Sequence, residues 1–81
     1  MSDLEREVVL LLRAHAPGAT SAGLALDLTL ELRGDLGFDL IALGELAVAI
    51  EDAFGIEVSI IDLDGCRTIQ DLQALVVAWS P

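Results

Sequence analysis

Tyrosine is absent from this chain of 81 residues, which holds one histidine, one cysteine and four basic residues against fourteen acidic ones. Each shortage removes a class of function. A single thiol forms no internal disulfide, and one histidine with one cysteine supplies no ligand set for a structural metal. The same shortage leaves no convincing nucleophile and base pair or shielded general acid, so catalysis is not expected. His15 falls in the last turn of an expected helix, where a cation suits the helix dipole, and takes no catalytic role. Cys66 is expected to be a small buried or half-buried residue rather than a reactive one. The stretch GDLG, Gly34 to Gly37, lacks the glycine spacing and the Lys-Ser/Thr ending of a phosphate-cradling loop. Apolar runs such as Val8 to Leu12 fall far short of the roughly 20 residues that span a membrane. The start, Met1-Ser2-Asp3-Leu4-Glu5, is acidic instead of basic and then apolar, so a cytoplasmic location is expected. A net charge of −10 repels nucleic acid and anionic lipid and favours basic protein partners.

What the chain does hold is aliphatic: apolar residues make up 54%, most of them Leu, Ala, Val and Ile. A domain of this size buries about 60% of the surface its unfolded chain exposes, so one domain over residues 1–81 is expected. Ser2 and Glu5 have capping-box spacing, and Leu4, Val8, Leu11 and Leu12 recur at helical intervals until Pro17-Gly18, which predicts a helix over 3–15. From Leu24 to Leu32, leucines at every second position alternate with Ala25, Asp27, Thr29 and Glu31, a half-buried strand pattern. No second run alternates this way. The segment is therefore expected to be a long extended connection that drops leucines onto a helical core.

Asp39 can cap the next helix, and Gly55 ends it after Phe54. Leu43, Leu46, Ala47, Ile50 and Phe54 share its core face, while Glu45, Glu51 and Asp52 point outward. Ile41 and Val48 lie among those carboxylates beside Gly44, an apolar strip framed by acids and better suited to docking than to solvation. The stretch IEVSIIDLDGCRT then leaves room for one short helical turn at most. Thr68, with Asp71 in the box position, caps a last helix from Ile69 to about Trp79, with Ile69, Leu72, Val76 and Trp79 on one side. The pattern predicts an all-α fold with three main helices, one short turn and a long loop between helices one and two.

That order, with DLGFDLIALGELAVAIEDAFGIEV and TIQDLQALV, resembles the acyl and peptidyl carrier proteins, a four-helix bundle of about this length. Asp35, Leu36, Gly37, Asp39, Glu45, Ala49, Glu51, Asp52, Phe54, Gly55, Ile56 and Glu57 fit the family's D-L-G-x-D-S-L lead-in, acidic helix and F-G-I-E exit without a gap. Helical periodicity explains the leucines but not that combination. The resemblance implies a serine carrying 4'-phosphopantetheine, and this serine falls on Leu40. A leucine has no side-chain oxygen to attack the pyrophosphate of coenzyme A, so no cofactor is expected on the chain as it stands. Ser21, Ser59 and Ser80 lie in unrelated contexts. The residue after Leu40 is Ile41 where the family has Leu, and Ala42 stands where a polar residue often follows.

Leu40 either packs against the long loop or, if exposed, joins Phe38, Ile41 and Val48 in a patch suited to a partner or to self-association. Two functions follow from the resemblance. In the first, a carrier-like domain without its arm binds, as a monomer, the basic surface of a biosynthetic enzyme such as an acyl or aminoacyl transferase, ligase or synthase. Asp39, Leu40, Ile41, Glu45, Val48, Glu51 and Asp52 would make that contact. In the second, a working acyl, aminoacyl or peptidyl carrier has had its serine exchanged for leucine.

Overall fold

The computed structural model describes residues 2–16 and 28–80. Pro17-Gly18, Ser21 and the first half of the leucine alternation, Leu24 to Asp27, lie outside the described residues. Four helices follow in order: α1 (Asp3–His15), α2 (Leu40–Phe54), α3 (Ile60–Asp64) and α4 (Ile69–Trp79). The fold is all-helical, with no strand among the described residues, as the pattern predicts.

Side-chain caps set where the helices start. The Glu5 backbone amide donates to Ser2 Oγ and the Ser2 amide to Glu5 Oε1, closing the expected box at α1. Ser59 with Asp62 and Thr68 with Asp71 build the same reciprocal pair at α3 and α4. Each box satisfies amides that the first helical turn leaves without partners, so short helices can begin abruptly. Gly55, in the left-handed region at φ 68°, ends α2.

α1 packs against α2 and α4, and α2 also packs against α3. Val8, Val9 and Leu12 meet Leu43, Leu46, Ile50, Ile69, Leu72 and Val76 in the buried core. Gln73, buried among them, donates from Nε2 to the Glu5 carbonyl at 3.0 Å, tying α4 to the first turn of α1. On α4, Ile69, Leu72 and Val76 are buried, whereas Trp79 is 45% exposed. It is the last residue of α4, with no further turn to shelter its indole.

The connection before α2 behaves as a piece of core. Leu32, Leu36 and Phe38 are buried, and Leu28 and Leu30 pack partly against the same cluster. The alternating segment does find a backbone partner, which alternation alone does not reveal. The Leu32 amide donates to the Arg67 carbonyl at 2.9 Å, Ile69 to Leu30 at 3.1 Å and Gln70 to Leu28 at 2.9 Å. This pairing amounts to a single antiparallel bridge, Glu31 with Thr68, because residue 69 already begins α4. Two exposed ion pairs brace the loop from outside: Arg67 Nε with Glu31 Oε2 and Arg33 Nη1 with Asp64 Oδ1, each at 2.7 Å.

Cys66 sits in this packed junction between α3 and α4. It is 7% exposed, and its Sγ lies 3.6 Å from the Asp62 carbonyl oxygen. Burial pushes its thiol pKa up, and Asp71 and Asp62 push the same way. Because the folded value is raised, the stability the neutral thiol contributes is complete below the ordinary thiol range. It is lost as pH climbs through the folded value. Iodoacetamide should therefore label native Cys66 slowly and the urea-unfolded chain quickly, as followed by mass spectrometry. Equal rates would show an accessible thiol.

If the loop belongs to the core, Leu32→Ala should cost about 2–5 kcal/mol, as Leu43→Ala should, since both leave a cavity in a fully packed region. Leu10→Ala, on the exposed side of α1, should change stability by less than about 1 kcal/mol. Urea midpoints check this, and a Leu32→Ala midpoint equal to that of the unsubstituted chain would separate the loop from the core.

Candidate docking face on the second helix

Asp39 and Phe38 position the head of α2. Phe38 is only 2% exposed and anchors the backbone to the core, while Asp39 Oδ1 accepts from the Ala42 amide at 2.8 Å. The next side chain, Leu40, therefore begins the helix on its outer surface and is 54% exposed. Of the two placements open to Leu40, against the loop or on the surface, the structure gives the exposed one. It also removes Phe38 from the patch.

At 100° per residue, Leu40, Gly44 and Val48 form one row along α2, and Ile41 flanks Gly44 and Val48 at helical spacing. Ile41 is 75% exposed and Val48 60%. The strip predicted between the carboxylates therefore stands on the surface. Glu45 and Asp52, seven residues apart, line its outer flank. Glu51 turns toward α3, where it lines a shallow open hollow with Glu57, Val58, Ser59 and Asp62.

The carboxylates fall into two groups. Asp3, Glu5, Glu31, Asp35, Asp39, Asp62, Asp64 and Asp71 each cap a helix, accept from a nearby amide or pair with an arginine. Glu7 on α1 and Glu45, Glu51, Asp52 and Glu57 have no hydrogen-bond or ion-pair partner among the described residues, and all five are exposed. Four of these five acids lie on α2 and its exit. The arginines sit elsewhere, on α1 and on the two connections beside the loop bridge.

Helical patterning of the sequence missed Ile60 and Ile61 on α3, which are 41% and 83% exposed. In a helix Ile61 and Leu63 point about 160° apart, so once Leu63 enters the core Ile61 must face out.

A phosphodiester-linked group requires a hydroxyl, and no residue from Leu30 to Val58 has one. Ser2, Ser59 and Thr68 cap helices, Ser80 Oγ donates to the Val76 carbonyl, and Thr29 lies in the loop turn. Ser59 Oγ donates to Asp62 Oδ2 at 2.9 Å within the α3 cap. The residues at the head of α2 do not fit such a group. No helix among the described residues is long and apolar enough to cross a membrane, and no group of three or more His, Cys, Asp or Glu among them could hold a metal ion.

Among known proteins, the family model described as "Phosphopantetheine attachment site" matches residues 14–76, from the last turn of α1 into α4. No curated protein and no solved structure matches the chain. A family match over well over half of the chain agrees with the four-helix order, the caps and the exposed head of α2, and the chain belongs to the phosphopantetheine-attachment family of carrier domains.

Proposed function

We propose that this chain is a carrier-family domain that works without the arm, by docking on a biosynthetic enzyme. Leu40 takes the place of the family's attachment serine. The observation that carries this reading is the head of α2: an aspartate cap followed by an exposed hydrocarbon, within a stretch, Leu30 to Val58, that holds no hydroxyl residue. Esterification needs an oxygen nucleophile, and Leu40 has none.

Shape and charge are then the means of action. Glu45, Glu51 and Asp52, with Asp39 at the cap, steer a basic partner surface toward α2. Leu40, Ile41 and Val48 supply apolar contact once the partner arrives. The occupant is the basic surface of an acyl or aminoacyl transferase, ligase or synthase, met by the chain as a monomer in the cytoplasm. The domain itself performs no catalysis. His15 is exposed at the end of α1, and Cys66 is buried with its thiolate disfavoured.

A second reading draws support from the same helix start. The Asp39 cap and the outward first residue leave position 40 well placed for modification, so a carrier whose serine has been exchanged would look the same. One substitution tests whether the recognition surface is intact. Incubation with coenzyme A and a promiscuous phosphopantetheinyl transferase should add no mass to the chain as it stands. The same treatment should add the mass of one arm to Leu40→Ser. An arm on the unsubstituted chain would overturn the armless reading, and no gain on Leu40→Ser would show that the transferase does not recognise this surface.

With a purified enzyme that binds the chain, association should slow as salt rises from about 50 to 500 mM, where the screening length falls to a few ångströms. A rate independent of salt would remove electrostatic steering from the account.

A further inference from the structure

We infer that the outer side of α1 is a second docking surface, opposite in charge to the first, which takes an acidic amphipathic helix of a separate protein. It shares no residue with the face on α2 and stands independently of it.

Arg6, Leu10 and Arg13, at positions i, i+4 and i+7, form one row along α1. Leu10 points about 160° away from the fully buried Leu12 and is 48% exposed. Arg6 and Arg13 are exposed before and after it, so a hydrocarbon stands between two cations. Arg13 has no ion-pair partner among the described residues, and Arg6 has a loose one in Asp3, at 3.7 Å on the open surface. One flank of the row turns down to Val9 in the core, and Glu7 and Ala14 run along the other.

Local structure explains only part of this row. The helix dipole favours a cation in the last turn, which accounts for Arg13. It disfavours one at the start, where Arg6 is the fourth residue of α1. All four basic residues of the chain are arginines, whose planar fork pairs well with carboxylates. Arg33 and Arg67 are spent on Asp64 and Glu31 at 2.7 Å. Among the described residues, α1 therefore holds the arginines open to carboxylates from outside.

Charge and spacing decide the occupant. A chain of net charge −10 repels an acidic helix from most of its surface, but screening limits that repulsion to about 8 Å at physiological ionic strength. At the row itself, Arg6 and Arg13 set the local field. An antiparallel helix with a carboxylate, an aliphatic residue three positions later and a second carboxylate four positions after that meets Arg13, Leu10 and Arg6 in turn. Glu7 keeps the carboxylates of that helix on the arginine side. Leu10 favours such a helix over a free polyanion, which has nothing apolar to cover it.

The test measures fluorescence anisotropy of a labelled, helix-stabilised peptide built on this glutamate, leucine, glutamate spacing. It should bind saturably, a peptide with serine for the leucine about tenfold more weakly, and polyphosphate should not compete. Leu10→Ser should cost about the same factor, on the scale of burying one aliphatic side chain. Arg6→Gln combined with Arg13→Gln should abolish saturable binding, and Ile41→Ser on α2 should leave it unchanged. Urea midpoints near that of the unsubstituted chain would show that these variants lose the contact and not the fold. Leu10→Ala serves in place of Leu10→Ser if the serine unfolds the protein.

Unchanged affinity for the Leu10 variant, or effective competition by polyphosphate, would reduce the row to a charge site and overturn the helix as its occupant. Loss of binding in Ile41→Ser would move the contact to α2 and overturn the second surface. In sedimentation of the protein alone, a dimer abolished by the double arginine variant would assign the row to a second copy and overturn the separate partner. None of these results bears on whether α2 meets a basic enzyme surface.

Discussion

Three main helices of 13, 15 and 11 residues do not enclose a core by themselves, and side chains from the connection before α2 must close it. Leu32, Leu36 and Phe38 do so, each 2% exposed or less. This constraint sets the geometry of the docking face. With Phe38 drawn inward and Asp39 held as a cap, the chain enters α2 so that Leu40 points outward and Leu43 inward. Exposure at position 40 is therefore a consequence of burial at position 38. The loop also fixes the start of α4, since the Ile69 amide donates to the Leu30 carbonyl. Exposed ion pairs such as Arg33–Asp64 and Arg67–Glu31 each contribute little energy. They select one placement of the loop, while burial of its leucines supplies most of the stability.

The same division governs charge. Acids that begin helices or meet arginines are held by local bonds, and their fields are partly cancelled by amide dipoles or cations. The remaining described carboxylates, apart from Glu7 on α1, lie on α2 and its exit without such neighbours, beside the exposed aliphatic strip. Apolar contact and long-range attraction coincide on one face, the combination that favours rapid encounter followed by close packing.

How much of this was legible in the sequence depends on the range of the interaction. The capping boxes at Ser2 and Thr68, the Asp39 cap and the Gly55 stop are local, and the expected limits of α1, α2 and α4 agree with the structure. The leucine alternation was visible, but its partner was not. Residues 67–70 pair with it across a distance in sequence that no periodicity reports. Phe38 was placed with Leu40 because the two are near in sequence, yet only the closing of the core decides that one turns in and the other out. Trp79 fits the apolar side of α4 by spacing, and its exposure follows from its place at the helix end. Of the site, the α2 strip was legible from helical angles alone. The α3 isoleucines were not, because a five-residue helix gives too short a pattern to read before Leu63 is known to be buried.

An exposed side chain is under little packing constraint, so position 40 can change from hydroxyl to hydrocarbon at little cost to the fold. On the proposed reading this explains how a carrier domain loses its chemistry and keeps its architecture. Reactivity at position 40 needs one oxygen atom, whereas the shape around it depends on Phe38, Asp39 and the core beneath. The exchange also changes what the surface does. An aliphatic side chain at the head of α2 extends the row through Gly44 to Val48. Such a face on a neutral protein would promote self-association. On the proposed reading, the surrounding carboxylates oppose contact between identical copies and favour a basic surface.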